Sequence, residues 1–329
     1  MKKTVNFLCV FMAILFACTS ICISIPPLKS EAATATEVPD VKEYLTNFWE
    51  CKEVLFVGNS KTASYGSPAK SFEKLANANA MDHKVPFGVN VTICAKGGNT
   101  LLQTANTPEY ANIITKKKYD IVILQEGRKP YLAQEAGQYE KYLEGVTKIA
   151  EMVRKKNPNV QIYIRQVWVG KEYGTVDDIS GGGQKKGKFY CGQKEVNGKP
   201  IPIICTTADK QRAYKNTNTI AERIKAAGVI YDGYVMGSYN NRYIKIEDKL
   251  FQSDKYHQSD LGSALAATAI YASVYKKMPS VMNSDTFYRS ERVKNIATGK
   301  YYGSSKCELI LTKGQIDRIK TVVKDKYGY

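Results

Sequence analysis

The chain has 329 residues, of which 43% are hydrophobic and 24% charged. That composition supports one large core or two small ones and excludes a disordered chain. The formal net charge of +17 at neutral pH suits polyanionic surroundings such as nucleic acid, anionic lipid or an acidic cell-wall polymer.

The chain begins Met1-Lys2-Lys3, followed by a mainly apolar run from about Val5 to Ile25, Pro26-Pro27, and small residues from Ser30 to Ala35. A basic start, an apolar segment and a small-residue zone form the pattern of a secretory signal peptide, assigned to residues 1–33. The apolar run also has the length of a membrane anchor. Leu15-Phe16-Ala17-Cys18 loosely resembles a lipidation site, with Phe16 a poor fit. The expected location is therefore secreted or associated with the cell envelope. Cleavage after Ala33 removes Lys2, Lys3, Lys29 and Glu31 and leaves the chain strongly basic. Outside the membrane, an anionic cell-wall polymer is a more natural electrostatic partner than nucleic acid. A lysine-rich surface that serves only solubility explains the same charge.

Residues 34–329 read as a single domain. Short apolar runs at Val54–Val57, Val89–Ile93, Ile121–Leu124, Gln161–Val169 and Val229–Val235 predict five strands. Such runs suit strands covered on both faces. Between them the period changes to 3.6. From Gly137 to Lys156, Tyr139, Tyr142, Leu143, Val146, Ile149, Ala150 and Val153 share one helical face, and Asn157-Pro158 ends it. Further helices are predicted over Ala208–Ala227, Leu261–Lys277 and Lys313–Lys326. Alternating strands and helices predict an α/β fold, an open, mainly parallel five-stranded sheet with helices on both faces. Active sites in such sheets lie at the carboxyl ends of strands.

Gly170 to Cys205 breaks the alternation. It is rich in Gly and Lys and reads as a loop insertion at about 170–205, either a functional lid or a tolerated surface segment. Cys9, Cys18 and Cys22 lie in the signal segment, which leaves Cys51, Cys94, Cys191, Cys205 and Cys307. Five is odd, so at least one is free or pairs between chains. Cys191 and Cys205 are the best disulfide candidates, and Cys94 reads as a buried small hydrophobe. No cysteine or histidine spacing suits a metal.

The first strand runs into Gly58-Asn59-Ser60, which presents a serine at a strand end. A serine nucleophile needs a base, and the chain has only two histidines. His83 sits in a polar segment and reads as a surface residue. His257 lies in a late loop three residues after Asp254, a spacing that lets the carboxylate hold one ring nitrogen while the other takes a hydroxyl proton. Cys94-Ala95-Lys96-Gly97-Gly98-Asn99-Thr100 follows the second strand.

With Gly58-Asn59-Ser60, Gly98-Asn99-Thr100 and Asp254-Lys255-Tyr256-His257 in this order, the chain resembles the SGNH (GDSL-like) hydrolase superfamily over roughly Glu53 to Tyr275. The resemblance implies a flavodoxin-like three-layer α/β/α sandwich and a catalytic triad of Ser60, His257 and Asp254. It implies an oxyanion hole from the N–H groups of Ser60 and Gly98, with Gly97 as the alternative to Gly98. It implies no metal or organic cofactor. Two blocks depart from the family pattern. Asn59 stands where the family usually has Asp. Val122-Ile123-Leu124-Gln125-Glu126-Gly127-Arg128 replaces Gly-x-Asn-Asp, so Gln125 is the expected third oxyanion donor. Glu126 is expected to turn away or pair with Arg128. Asn59, Asn99 and Tyr256 are the expected substrate contacts, and Tyr65, Tyr131, Trp168 and Tyr256 are candidates for stacking on sugar rings. The function that follows is a secreted serine esterase acting on an acylated glycan or other ester, such as an O-acetylated polysaccharide. A lipase, thioesterase or acyltransferase of the same fold, or a non-catalytic envelope-binding protein, are the alternatives. No nucleic acid and no stable protein partner are expected.

Overall fold

Val54 to Val57 are fully buried in β1 (Lys52–Gly58). A strand can bury consecutive side chains only if both its faces are covered, as in a parallel sheet between helices. The computed structural model describes residues 51–63, 67–83, 88–169, 172–173, 188–197, 199–243, 250–252, 256–288, 293–294, 301–302 and 310–329. The signal segment, Tyr65, Asp254 and Cys307 lie outside the described residues.

After β1 come α1 (Ser60–Ala63), α2 (Pro68–Ala78), β2 (Val89–Ala95), α3 (Leu101–Asn106), α4 (Pro108–Lys116), β3 (Ile121–Leu124), α5 (Arg128–Leu132), α6 (Gln138–Lys156) and β4 (Gln161–Arg165). Then follow β5 (Glu172–Tyr173), β6 (Lys188–Val196), β7 (Lys199–Thr206), α7 (Thr207–Arg223), β8 (Gly228–Ile230), α8 (Asp232–Arg242) and α9 (Asp260–Tyr275). A short antiparallel pair, β9 (Val293–Lys294) and β10 (Tyr301–Tyr302), precedes α10 (Lys313–Tyr327).

The main sheet has the order β2-β1-β3-β4-β8, with every pair parallel. One helical layer contains α2, α8, α9 and α10, and the other contains α3, α4, α5, α6 and α7. The result is a three-layer α/β/α sandwich with flavodoxin-like strand order. Residues such as Leu55, Phe56 and Phe72 are completely buried in its core, and each contributes about 1.5–3 kcal/mol by leaving water. Val57 lies opposite both Cys94 and Leu124. β1, β2 and β3 therefore end level, and the loops after them share one edge of the sheet.

Two strand ends fall short of the sequence reading. β4 stops at Arg165 and β8 at Ile230, where the apolar runs continue to Val169 and Val235. The cause is Gly233, whose N–H donates to Gln166 O at 2.8 Å. A Cβ there would meet Gln166 O at 2.5 Å and Val167 O at 2.6 Å. The chain after β8 folds over the end of β4, and only glycine permits the approach. The segment expected to be a loop insertion also contains structure. β5, β6 and β7 form an antiparallel three-stranded sheet. Val196 pairs with Lys199 across Asn197-Gly198, with Asn197 at φ 51°. Asn-Gly between two strands is a strong hairpin signal.

Cys205 is buried and disulfide-bonded, and Cys191 lies on β6, the strand paired with it. Cys94 is buried, and burial pushes its thiol up to about 11. Among the described residues, no helix is long and apolar enough to cross a membrane, and no cluster of side chains could hold a metal ion.

Candidate active site

Gly58 ends β1 where a side chain would not fit. A Cβ there would lie 2.4 Å from Thr62 Oγ1 and 2.8 Å from Gln125 Oε1. Asn59 then closes a tight turn. Its Oδ1 accepts from Lys61 N–H at 3.2 Å, and its backbone O accepts from Thr62 N–H at 2.9 Å. An asparagine bonding its own backbone two residues on is a turn-forming device. Ser60 is the next residue, half-buried at the start of α1.

A buried polar network braces this turn from below. Asp232 Oδ2 accepts from Arg165 Nε at 2.9 Å and from Arg165 Nη2 at 2.5 Å, and both side chains are fully buried. Arg165 Nη1 donates to Thr62 Oγ1 at 3.2 Å, and Thr62 Oγ1 donates to Gln125 Oε1 at 2.9 Å. Gln125 Oε1 also accepts from Asn59 N–H at 3.1 Å. Burial pushes the Asp232 carboxyl up, opposed by the Arg165 guanidinium. A buried pair of this kind survives because each charge is bonded to the other and to further polar groups.

His257 arrives from a loop pinned at its base. Phe251 and Gln258 form an antiparallel bridge, Gln252 N–H donates to His257 O at 2.9 Å, and Ser259 N–H donates to Leu250 O at 2.9 Å. Trp168 Nε1 donates to Tyr256 O at 2.9 Å, which holds the adjoining backbone. The Tyr256 ring stands edge-on to the imidazole, with centroids 5.2 Å apart. His257 Nε2 and Ser60 Oγ are 2.8 Å apart, although 197 residues separate them in sequence. At that distance the ring nitrogen can take the hydroxyl proton. Asp254 lies outside the described residues. His83 ends a short 3-10 turn, Ala80–His83.

The loop after β2 is tied to the serine turn, since Asn59 Nδ2 donates to Asn99 O at 3.3 Å. Gly98 has φ +80°, and a Cβ there would meet nothing within 4 Å. Its glycine therefore answers to backbone conformation, not to crowding. The N–H groups of Ser60 and Gly98 find no acceptor among the described residues.

Several expectations need correction. Gln125 was expected to offer its amide to an oxyanion. Its Oε1 faces Asn59 N–H, a group that can only donate, so the amide orientation is determined. Its Nε2 donates to Glu126 O, and the side chain is buried. Gln125 braces the turn that carries Ser60. Asn59 was expected to touch substrate, but it is 6% exposed and both ends of its amide are engaged. Asn99 contributes its backbone carbonyl to the same brace, while Tyr256 stands beside the pair. Among the sugar-stacking candidates, Tyr131 and Trp168 are buried, and Tyr131 Oη donates to Val167 O at 2.7 Å. Both are wall and core rather than exposed platforms.

Glu126 neither turns outward nor pairs with Arg128. Its Oε1 accepts from Leu101 N–H at 3.0 Å and from Gly127 N–H, and burial pushes the carboxyl up to about 8. The sequence reading also missed Lys61, the residue after Ser60. It is 4% exposed, donates from Nζ to Trp168 O at 2.5 Å, and lies 4.0 Å from the Tyr256 ring centroid. A lysine directly after a strand-end serine, with aromatics elsewhere in the chain, is too weak a pattern to signal this.

No protein-family model matches the chain, and no curated protein matches it. Solved structures do. A candidate SGNH hydrolase from Slackia heliotrinireducens is 17% identical over 69% of this chain and 100% of that one, with a TM-score of 0.47. An acetyl xylan esterase is 14% identical over 68% and 99%, with a TM-score of 0.46. A lipase/acylhydrolase from Enterococcus faecalis is 13% identical over 70% and 100%, with a TM-score of 0.43. At these values the likeness says nothing of what this chain acts on.

Proposed function

We propose that this protein is a serine ester hydrolase with Ser60 as nucleophile and His257 as general base. One observation carries the reading: the 2.8 Å separation of Ser60 Oγ and His257 Nε2 at the carboxyl edge of a parallel sheet. Ser60 Oγ bonds to the acyl carbon as its proton passes to His257. The tetrahedral oxyanion is held by the N–H groups of Ser60 and Gly98, which have no other acceptor among the described residues. Collapse breaks the ester bond, and His257 returns the proton to the departing alcohol. Water then attacks the acyl-serine, gives its proton to His257, and releases the acid and Ser60. Asp254, three residues before His257, is assigned to orient the imidazole. Gln125, Thr62 and Arg165 act through the turn that carries Ser60. The reaction as written needs no cofactor.

The substrate proposed is an O-acetyl ester on a carbohydrate or cell-envelope polymer, reached after secretion. The basic chain supports it, since +17 draws the protein to anionic polymers. The test is hydrolysis of p-nitrophenyl acetate by the full chain beside Ser60→Ala and His257→Ala. Loss of at least about 10³-fold in both variants is expected. Equal rates in all three would overturn the proposal.

A further inference from the structure

Lys61 is the residue after Ser60, and Tyr256 is the residue before His257. The Lys61 ammonium lies 4.0 Å from the centre of the Tyr256 ring and 5.1 Å from that of Trp168, and its Nζ donates to Trp168 O at 2.5 Å. Trp168 Nε1 donates in turn to Tyr256 O at 2.9 Å. Each of these residues is therefore joined to the other two. The triangle links the turn after β1, the chain after β4 and the late loop that carries His257.

Two corners of the triangle are anchored in the core. Lys61 N–H is held by Asn59 Oδ1, and Lys61 O accepts from Arg165 Nη1 at 3.4 Å. Trp168 is 2% exposed, and the chain before it is fixed by Tyr131 Oη on Val167 O and Gly233 N–H on Gln166 O. The third corner, Tyr256, is half-buried on its loop. Gln252 N–H grips the carbonyl of His257, and the triangle grips the residue before it, so the histidine is held from both sides. An ammonium stripped of water is costly unless it is bonded. A ring face restores part of that loss, and more so where water is excluded. The stripped charge of Lys61 therefore pulls the Tyr256 ring inward, and that ring stands edge-on to the imidazole.

We propose that Lys61 is a positioning residue for His257: by clasping the Tyr256 ring and the Trp168 carbonyl, it sets the 2.8 Å approach of His257 Nε2 to Ser60 Oγ. Its effect on rate rests on the hydrolase reading of that pair, and its effect on geometry does not. Lys61→Met keeps an unbranched stem in the same space and removes both the charge and the donor. A misplacement of about 1 Å can cost about 10²-fold in rate, so kcat for p-nitrophenyl acetate should fall about 10–100-fold. KM should stay within about twofold, because an interaction that aligns the reacting groups acts on the transition state.

A readout independent of catalysis separates positioning from support of the fold. The chain has two histidines, and a His83→Gln variant assigns the remaining imidazole signals in a nitrogen–proton NMR spectrum to His257. In the wild-type chain, Ser60→Ala removes the hydroxyl that meets Nε2 and should shift those signals. In a Lys61→Met background the same change should leave them nearly unmoved, because the two groups no longer meet. Tyr256→Leu breaks the same contact from the loop side, at a half-buried position. It should reproduce both the loss in kcat and the NMR result, and it carries the test if Lys61→Met does not fold.

A Ser60→Ala shift as large in the Lys61→Met and Tyr256→Leu chains as in the wild type would overturn the positioning role. So would an unchanged kcat, or a rise in KM alone, which would make the two side chains substrate contacts. The hydrolase reading fails separately. Hydrolysis by the wild-type chain that survives Ser60→Ala, or no hydrolysis at all, would sink that reading, and the NMR comparison would still decide the role of Lys61.

Discussion

Substituting Glu126 with glutamine changes one atom type in the core and removes one titration. The two carboxyl states differ in stability because the native state holds a proton that the unfolded chain gives up. The native carboxyl is pushed up to about 8 from an ordinary 4.5, chiefly by burial and against two backbone N–H bonds. Between those values the unfolded state binds fewer protons than the native one, so stability falls as pH rises. The contribution is intact below about pH 4.5, declines through the window, and levels off above about pH 8. A displacement of about 3.5 units corresponds to about 4–5 kcal/mol, of which about 4 falls between about pH 5 and 9. The amide of the Glu126→Gln variant would present the same acceptor to Leu101 and Gly127 and would not titrate. The assay is urea unfolding of both proteins from about pH 5 to 9, taking the difference in unfolding free energy at each pH. Wild type should lose about 4 kcal/mol relative to Glu126→Gln across that range. A difference constant to within about 1 kcal/mol would mean that the carboxylate is ionised and hydrated in the native state, and the reasoning would fail.

Arg165→Met should cost about 3–5 kcal/mol in urea unfolding, because it leaves Asp232 buried without its partner, and Arg165→Met with Asp232→Leu should recover much of that loss. A double variant no more stable than the single one would count against the pair as the cause. Asn59→Ala removes the Lys61 N–H acceptor and the donor to Asn99 O. It should cost about 1–3 kcal/mol and lower kcat for p-nitrophenyl acetate with little change in KM, whereas an effect on KM alone would return Asn59 to the substrate contacts. Gly98→Ala meets no atoms but places an alanine at φ +80°, so it should cost about 1–2 kcal/mol of stability, with a larger relative loss in kcat as the N–H shifts. Unchanged kcat would remove Gly98 from the oxyanion hole.

The strands, the long helices and the strand-end positions of Ser60 and Gly98 are legible in the sequence because each depends on local pattern. Val54 to Val57 must be buried on both faces whatever surrounds them, and a parallel sheet then brings the ends of β1, β2 and β3 to one edge. The hairpin across Asn197-Gly198 was equally legible, but the surrounding Gly and Lys content masked it. What lies beneath the site is another matter. Arg165 and Asp232 are 67 residues apart, and Thr62 and Gln125 are 63 apart. No local period links them, and in sequence each looks like an ordinary surface polar residue. Only tertiary packing decides that Gln125 faces the Ser60 turn with its oxygen. Packing alone also makes Glu126 a protonated acid, since a carboxyl's charge depends on the water it loses on burial, and a sequence does not specify where water ends. The sequence determined which residues could do chemistry at the sheet's edge. The tertiary structure decided which of them brace the turn and which hold a proton, because those roles depend on distance and desolvation rather than on order along the chain.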